Sequence, residues 1–173
     1  MRMNSITHRL PSLAIALSAW GSVGVALFTQ HVLDMHPCPW CIAQRIFYLA
    51  VGALALLAAL PPARSDGGRM TSAFFLILAI LGSCAALATA LYQHFVAAPA
   101  GACGITIVDR LLLQSGLSEW MPAVFQPEAS CDVADAPLLG IPYSLWSATL
   151  AVILIGMAIF ALTRLRRYPV SRI

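Results

Sequence analysis

The sequence predicts an all-α fold, a four-helix transmembrane bundle with a long periplasmic loop that carries a short interfacial helix, and three observations predict it. Four long runs are apolar and free or nearly free of charge. Only 10% of the 173 residues are charged and 60% are hydrophobic, against a charged share of about 25% in soluble domains. The arginines gather at one set of run ends. The chain reads as a single integral-membrane domain over residues 1–173 with no internal repeat.

The runs are Leu10 to Phe28, Ile46 to Leu60, Thr71 to Tyr92 and Leu138 to Thr163. A helix needs roughly 20 mostly apolar residues to cross the hydrocarbon, so spans are expected over about 10–29, 41–60, 71–92 and 142–163. The second reaches that length only if Arg45 is tolerated inside it. The first competes with a secretory signal, because Arg2 and Arg9 precede it and Ala16, Ser18 and Ala19 are small. Its apolar stretch continues through Val23, Val25 and Phe28, beyond the roughly 7–15 residues of a signal core, and is expected to stay as a span.

The connections differ in length. Pro61-Pro62 and Gly67-Gly68 mark a tight turn between spans two and three, and residues 30–40 link spans one and two. Residues 97–141 form the one long loop, a length often tied to function. Within it Ile105, Val108, Leu111, Leu112 and Leu117 recur at helical spacing opposite Asp109, Arg110, Gln114 and Ser115. That pattern fits a helix lying in the membrane interface or, alternatively, one packed on the bundle. Pro122, Pro127 and Pro137 break the remainder of the loop, which places Cys131 on an expected mobile segment.

There is no lysine in the chain. Arg2, Arg9, Arg64, Arg69, Arg164, Arg166, Arg167 and Arg172 lie on one side of the spans, leaving Arg45 and Arg110. Positive charge near span ends stays cytoplasmic, so both termini are expected inside and both outer connections, residues 30–40 and 97–141, outside. The net charge of +3 is then a matter of topology, and a nucleic-acid partner has little support.

Four of the five cysteines fall on the outer side, where disulfides persist. Cys38 and Cys41 form Cys-Pro-Trp-Cys at the start of span two; Cys103 and Cys131 lie in the long loop. Four cysteines allow three pairings, and the sequence does not choose among them. Cys84, mid-span, reads as a small buried hydrophobe.

Proline just inside a helix start costs no hydrogen bond, which makes Cys38 a cap and places Cys41 in the first turn. The helix N-terminus, and Arg45 one turn further along the same face, both favour a thiolate. A redox pair is the leading reading, beside a structural disulfide or half of a metal site, although the nearby arginine opposes a cation. A charge such as Arg45 within a span points to function or a partner, with snorkelling to the headgroups as the alternative. His94, just past span three, is either part of an interfacial belt or a donor to a cofactor carbonyl. Two thiol pairs on one side can exchange by thiolate attack through mixed disulfides.

At these residues the chain resembles the DsbB family of bacterial inner-membrane thiol oxidases. The matching segments are HPCPWCIAQR, YQH at the end of span three, EWMPAVF with Cys131-Asp132 after it, and GIPYSLW opening span four, and the likeness covers essentially the whole chain. The resemblance implies that a reduced DsbA-like periplasmic oxidase of the thioredoxin fold is taken up through Cys103 and Cys131, with Cys103 joining the partner. It implies further that Cys131 reaches Cys38 and that Cys41 is left as a thiolate facing a membrane quinone, with Arg45 stabilising the charge. A partner that is itself a strong oxidant cannot be reoxidised by an ordinary structural disulfide, so a more oxidising acceptor must pull the reaction. Ubiquinone and menaquinone both meet that need. Two other readings stay open: a relative of vitamin K epoxide reductase, whose Cys-X-X-Cys lies late in the chain, and a four-span structural subunit merely stapled by disulfides.

Overall fold

A computed structural model of the chain describes residues 9–62, 65–100 and 106–167. Four long helices dominate: α1 (Leu10–Val32), α2 (Pro39–Ala59), α3 (Asp66–Tyr92) and, after a run of short elements, α8 (Tyr143–Arg167). All four are long and apolar enough to cross a membrane. The chain is an all-α, multi-pass membrane protein.

Local chemistry sets the helix starts. The Cys38 sulfur accepts from the Cys41 amide at 3.4 Å, and Pro39 occupies the first turn of α2, where a missing N–H costs nothing. Ser65 Oγ accepts from Gly68 N at 3.1 Å, so α3 starts at Asp66, earlier than the apolar run that announces it, because its first turn is a capped polar one. At its other end α3 runs on as a π-helical turn, Gln93–Ala97.

Arg9 Nη2 donates to Leu60 O at 3.3 Å and Arg69 Nη2 to Arg166 O at 3.1 Å. The start of α1, the end of α2, the start of α3 and the end of α8 therefore share one end of the bundle, and neighbouring helices alternate in direction. Helix α2 is central: 50% of its most apolar window is buried, against 28% for each of the other three. The shared core is built largely from small residues, among them Ala16, Ala19, Ala55, Ala79, Ala86, Ala151 and Ala158, with Ile15, Val51, Leu76 and Leu154 between them. Lipid is as apolar as leucine, so close backbone approach through small side chains is what brings such helices together.

Cys84 departs from expectation. Ser83 and Ala86 are fully buried, but Cys84 is exposed on the outside of the bundle. Successive residues of an α-helix are about 100° apart, which turns Cys84 away once Ser83 faces inward.

The segment between α3 and α8 is a chain of short elements: α4 (Ile107–Ser115), α5 (Leu117–Trp120), α6 (Pro122–Phe125), α7 (Cys131–Ala134) and a two-residue hairpin, β1 (Pro137–Leu138) with β2 (Ile141–Pro142). Asp109 accepts from Thr106 N at 2.8 Å while Thr106 Oγ1 accepts from Asp109 N at 3.1 Å, a reciprocal cap that fixes the start of α4. Gly116, with φ 67°, ends it in the left-handed conformation glycine adopts freely. Leu112 packs against Ile42 and Phe125, whereas Ile107, Leu111 and Leu113 point outward, so α4 both packs on the bundle and keeps an apolar outer face.

Cys131 also differs from expectation: it is completely buried at the head of α7. The amides of Glu128 and Ala129 both donate to Pro37 O, at 2.9 and 3.2 Å. Pro122 opens α6 instead of breaking the chain into loop, because a proline in the first helical turn costs no hydrogen bond, and the backbone beyond it is bonded to the α1–α2 link, which holds Cys131 in place.

The α1–α2 contact depends on Gly52, where a Cβ would collide with the Trp20 indole whose Nε1 donates to Leu49 O at 3.1 Å. Gly52→Val is expected to force the helices apart and to lower stability by about 1–3 kcal/mol. Thermal unfolding of the detergent-solubilised protein checks it, and an unchanged midpoint would refute the close-contact role.

Candidate functional site

The start of α2 gathers most of the residues singled out in the sequence. The Cys38 and Cys41 sulfurs are 3.0 Å apart as free thiols. Cys131 is disulfide-bonded, and Cys103 lies outside the described residues. Cys38 and Cys131 belong to one buried cluster with Ala97 and Ala134, against which Cys41, Trp40 and Ala129 pack. Both Cys38 and Cys131 are 0% exposed. The Cys38 thiol is held well above the ordinary cysteine range, first by its hydrogen bond with Cys41 and then by burial. Cys38 therefore keeps its proton in the reduced pair and shares it with the neighbouring sulfur.

Cys41 has a second face. It lines a cavity of about 310 Å³ between α1, α2 and α8, together with Arg45, Gln44, Tyr48, Tyr143 and Trp146. The cavity walls are otherwise largely apolar, from Val23, Val25, Leu138 and Leu150 among others. Leu139 and Gly140, with φ 54° and 82°, form the two-residue turn of the β1–β2 hairpin. Such turns need positive φ at both positions and favour glycine or asparagine. Leu139 takes it nonetheless, is 87% exposed, and lines the same cavity.

Arg45 is 5% exposed and does not snorkel. Its Nη1 donates to Gln30 Oε1 at 2.8 Å and Val124 O at 3.1 Å, and its Nη2 to Ala26 O at 3.4 Å. A guanidinium has five N–H donors; three are spent on α1 and α6, and the side chain still borders the cavity.

His94 stands apart from it. Its Nδ1 lies 3.0 Å from Asp135 Oδ2, and Asp135 Oδ1 accepts from Ser144 N at 2.9 Å. The expected donor to a cofactor carbonyl does not line the cavity. It belongs to a link between the π-helical turn, the end of α7 and the first turn of α8.

Three glutamines complete the site: Gln30 and Gln44, which sequence reasoning left without a role, and Gln93, read beside His94 as part of an interfacial belt but fully buried. Gln30 holds Arg45. Gln44 Nε2 donates to Gln93 Oε1 at 2.7 Å, and Gln93 Nε2 donates to Cys41 Sγ at 3.3 Å. The available signal was polarity: an amide within an apolar span is costly unless bonded. On the rim His36 Nδ1 meets Glu128 Oε2 at 2.8 Å, beside the Pro37 carbonyl that anchors the Cys131 segment.

A family model described as disulfide bond formation protein DsbB matches residues 8–161. The chain belongs to the DsbB family. It is 33% identical to a disulfide bond formation protein B of Ralstonia nicotianae over 90% of this chain and 94% of the relative. Against the protein of the same name from Chromobacterium violaceum it is 32% identical, over 94% and 98%. As a DsbB-family member it has a role in disulfide bond formation, and the oxidoreductase character of that role agrees with the thiols at the head of α2.

If the Asp135 link is what holds α7 against α8, Asp135→Ala should destabilise the protein by about 1–3 kcal/mol, the usual cost of orphaning buried hydrogen-bond partners. Asp135→Asn keeps an acceptor for the Ser144 amide and should lose less. Thermal unfolding of both variants tests this, and no loss in the alanine variant would remove the link from the account.

Proposed function

We propose that this DsbB-family protein is a protein-dithiol:quinone oxidoreductase. It reoxidises a DsbA-like disulfide donor of the periplasm and passes the electron pair through its two cysteine pairs toward a membrane quinone. The observation that carries this reading is the double exposure of Cys41, which abuts the buried Cys38–Cys131 cluster on one side and borders the Arg45-lined cavity on the other. The arginine distribution supports an inner-membrane orientation with both termini cytoplasmic and the cysteine pairs periplasmic.

In this reading Cys131 is paired with Cys103. Reduced partner attacks Cys103, Cys131 leaves as a thiolate and attacks Cys38 Sγ, and the Cys38–Cys41 bond breaks with its electron pair on Cys41. The partner's second thiol then displaces Cys103, releasing the partner as a disulfide, and Cys103 re-forms its bond to Cys131 and frees Cys38, so the Cys38–Cys41 pair is reduced as the partner is oxidised. The residues around the cavity fit a quinone: apolar walls for a ring, a buried guanidinium with N–H groups to spare, and the Tyr143 hydroxyl at 3.2 Å from Thr29 Oγ1 on the facing helix. A bound quinone supplies the two-electron acceptor. Arg45 holds positive charge next to Cys41 and the cavity, and the apolar walls keep water from the sulfur. His94 is assigned to fixing the Cys131 turn.

The test is anaerobic mixing of the purified protein with reduced DsbA and a soluble quinone while following quinone absorbance. Cys38→Ser and Cys41→Ser should each abolish quinone reduction, and Cys103→Ser should prevent a stable mixed disulfide with DsbA on a non-reducing gel. Turnover in either proximal variant would overturn the relay.

Arg45 gives a finer test. Lysine offers a compact, strongly hydrated charge in place of a planar fork and cannot reach Gln30, Val124 and Ala26 together. Arg45→Lys should raise the KM for quinone several-fold, leaving the KM for DsbA nearly unchanged, and Arg45→Met should do so more severely. Steady-state kinetics with each substrate varied separately decides it, and equal effects on both KM values would take Arg45 out of the quinone site.

A further inference from the structure

Among the described residues, Gln93 is the one side chain outside the Cys38–Cys41 pair whose N–H donates to the sulfur on which charge develops. It is 0% exposed and opens the π-helical turn Gln93–Ala97, a local widening of the helix that is rare and often found at functional sites. Gln44 Nε2 donates to Gln93 Oε1 at 2.7 Å, and the Gln93 amide faces Cys41, its Nε2 donating to Cys41 Sγ at 3.3 Å while the thiol lies 3.6 Å from the shared Oε1; when Cys41 is a thiolate only the Nε2 contact remains favourable. Two amides in an apolar bundle could satisfy much of each other's demand by pairing alone. Here the pair is extended, and its free donor ends on a reactive sulfur.

We propose that Gln93 is a catalytic residue whose amide N–H stabilises the negative charge that Cys41 acquires when the Cys38–Cys41 bond breaks, and that Gln44 is the positioning residue that keeps this donor aimed. The inference rests on the relay reading given above. In the step concerned the Cys131 thiolate attacks Cys38 Sγ, the Cys131–Cys38 bond forms, the Cys38–Cys41 bond breaks, and the electron pair of the broken bond remains on Cys41. The step is an exchange without net oxidation, and its thiolate comes from attack of the reduced partner on the loop pair. Negative charge thus moves from the buried Cys131 sulfur to Cys41 at the edge of the cavity. A donor already in place where charge develops needs no reorganisation, and its effect is greatest away from water. Arg45 supplies a full charge nearby but is held by Gln30, Val124 and Ala26. Gln93 supplies the hydrogen bond.

The test uses the full-length protein in detergent with Cys38→Ser and Cys84→Ser, so that Cys41 is the reactive thiol at the site. Alkylation of Cys41 by iodoacetamide at neutral pH, followed by mass spectrometry, should slow by about tenfold or more in Gln93→Leu, the effect of losing one hydrogen bond to a charged atom. Gln44→Met should slow it several-fold. The differences should vanish at a pH high enough to ionise Cys41 in every variant, which a mere change in access would not do. With all cysteines restored, single-turnover reduction of the Cys38–Cys41 bond should slow by a similar factor in Gln93→Leu, with the KM for the reduced thiol partner unchanged. A folded Gln93→Leu that alkylates at the parent rate overturns the proposal. If that variant does not fold, a folded Gln44→Met with the parent rate overturns it instead. Turnover in Cys41→Ser would sink the relay reading by itself, whatever the alkylation rates show for Gln93.

Discussion

A guanidinium enclosed in an apolar bundle is expensive unless its donors are met by protein oxygens, and the way Arg45 meets that demand organises the loop end of the molecule. Its partners come from Gln30 and Ala26 on α1 and from Val124 on α6, so a single side chain of α2 binds the neighbouring span and the loop layer at once. The same position, one turn after Cys41, sets fixed positive charge beside the sulfur pair. The cavity lies alongside this anchored charge, bounded by α1 and α8. In the proposed relay, packing around Arg45 serves structure and chemistry together, and its hydrogen-bond partners are the Gln30 amide oxygen and two backbone carbonyls. An acidic partner would cancel the charge; amides and carbonyls orient it and leave it intact.

The second organising feature is the Pro37 carbonyl, which accepts both the Glu128 and Ala129 amides. Two backbone bonds to the residue just before Cys38 fix where the loop lands, and Cys131 comes two residues after Ala129. Asp135 then ties the far end of α7 to the first turn of α8 and to His94. Cys131 is thus held from both sides. The exchange chemistry proposed for it takes place in a dry cluster where a thiolate is short-lived unless a disulfide stands next to it.

Much of this was legible in the sequence. The four apolar runs, the arginine asymmetry and the Cys-Pro-Trp-Cys helix start each depend on one-dimensional patterns, and the helices follow them. The rotational phase of a span is harder to read, because both faces of a lipid-exposed helix are apolar and hydrophobicity carries no sidedness; Cys84, small and apolar enough for either face, is expected inward and faces outward. Cys131 looked mobile because prolines mark broken helices, while the bonds that hold the segment run to Pro37, far away in sequence. The sequence marks His94 only by its nearness to the span end, and the partner that holds it, Asp135, is 41 residues away. The glutamines gave a weak signal singly, and only the fold shows that Gln44 and Gln93 meet.

Burial also bears on the direction of the relay. Cys38 and Cys131 are fully buried, and Cys41 borders a cavity. A folded protein partner cannot make its first bond to either buried sulfur without displacing the segment that covers it, whereas a small apolar acceptor needs only the cavity. Within the proposed relay, entry then falls to the remaining cysteine of the loop pair, and exit to Cys41. Keeping the two middle sulfurs enclosed shields the intermediate disulfide from stray thiols. In the proposed relay the Cys41 thiolate sits against apolar cavity walls, where donors within the protein, Gln93 and Arg45, are the ones placed to meet its charge.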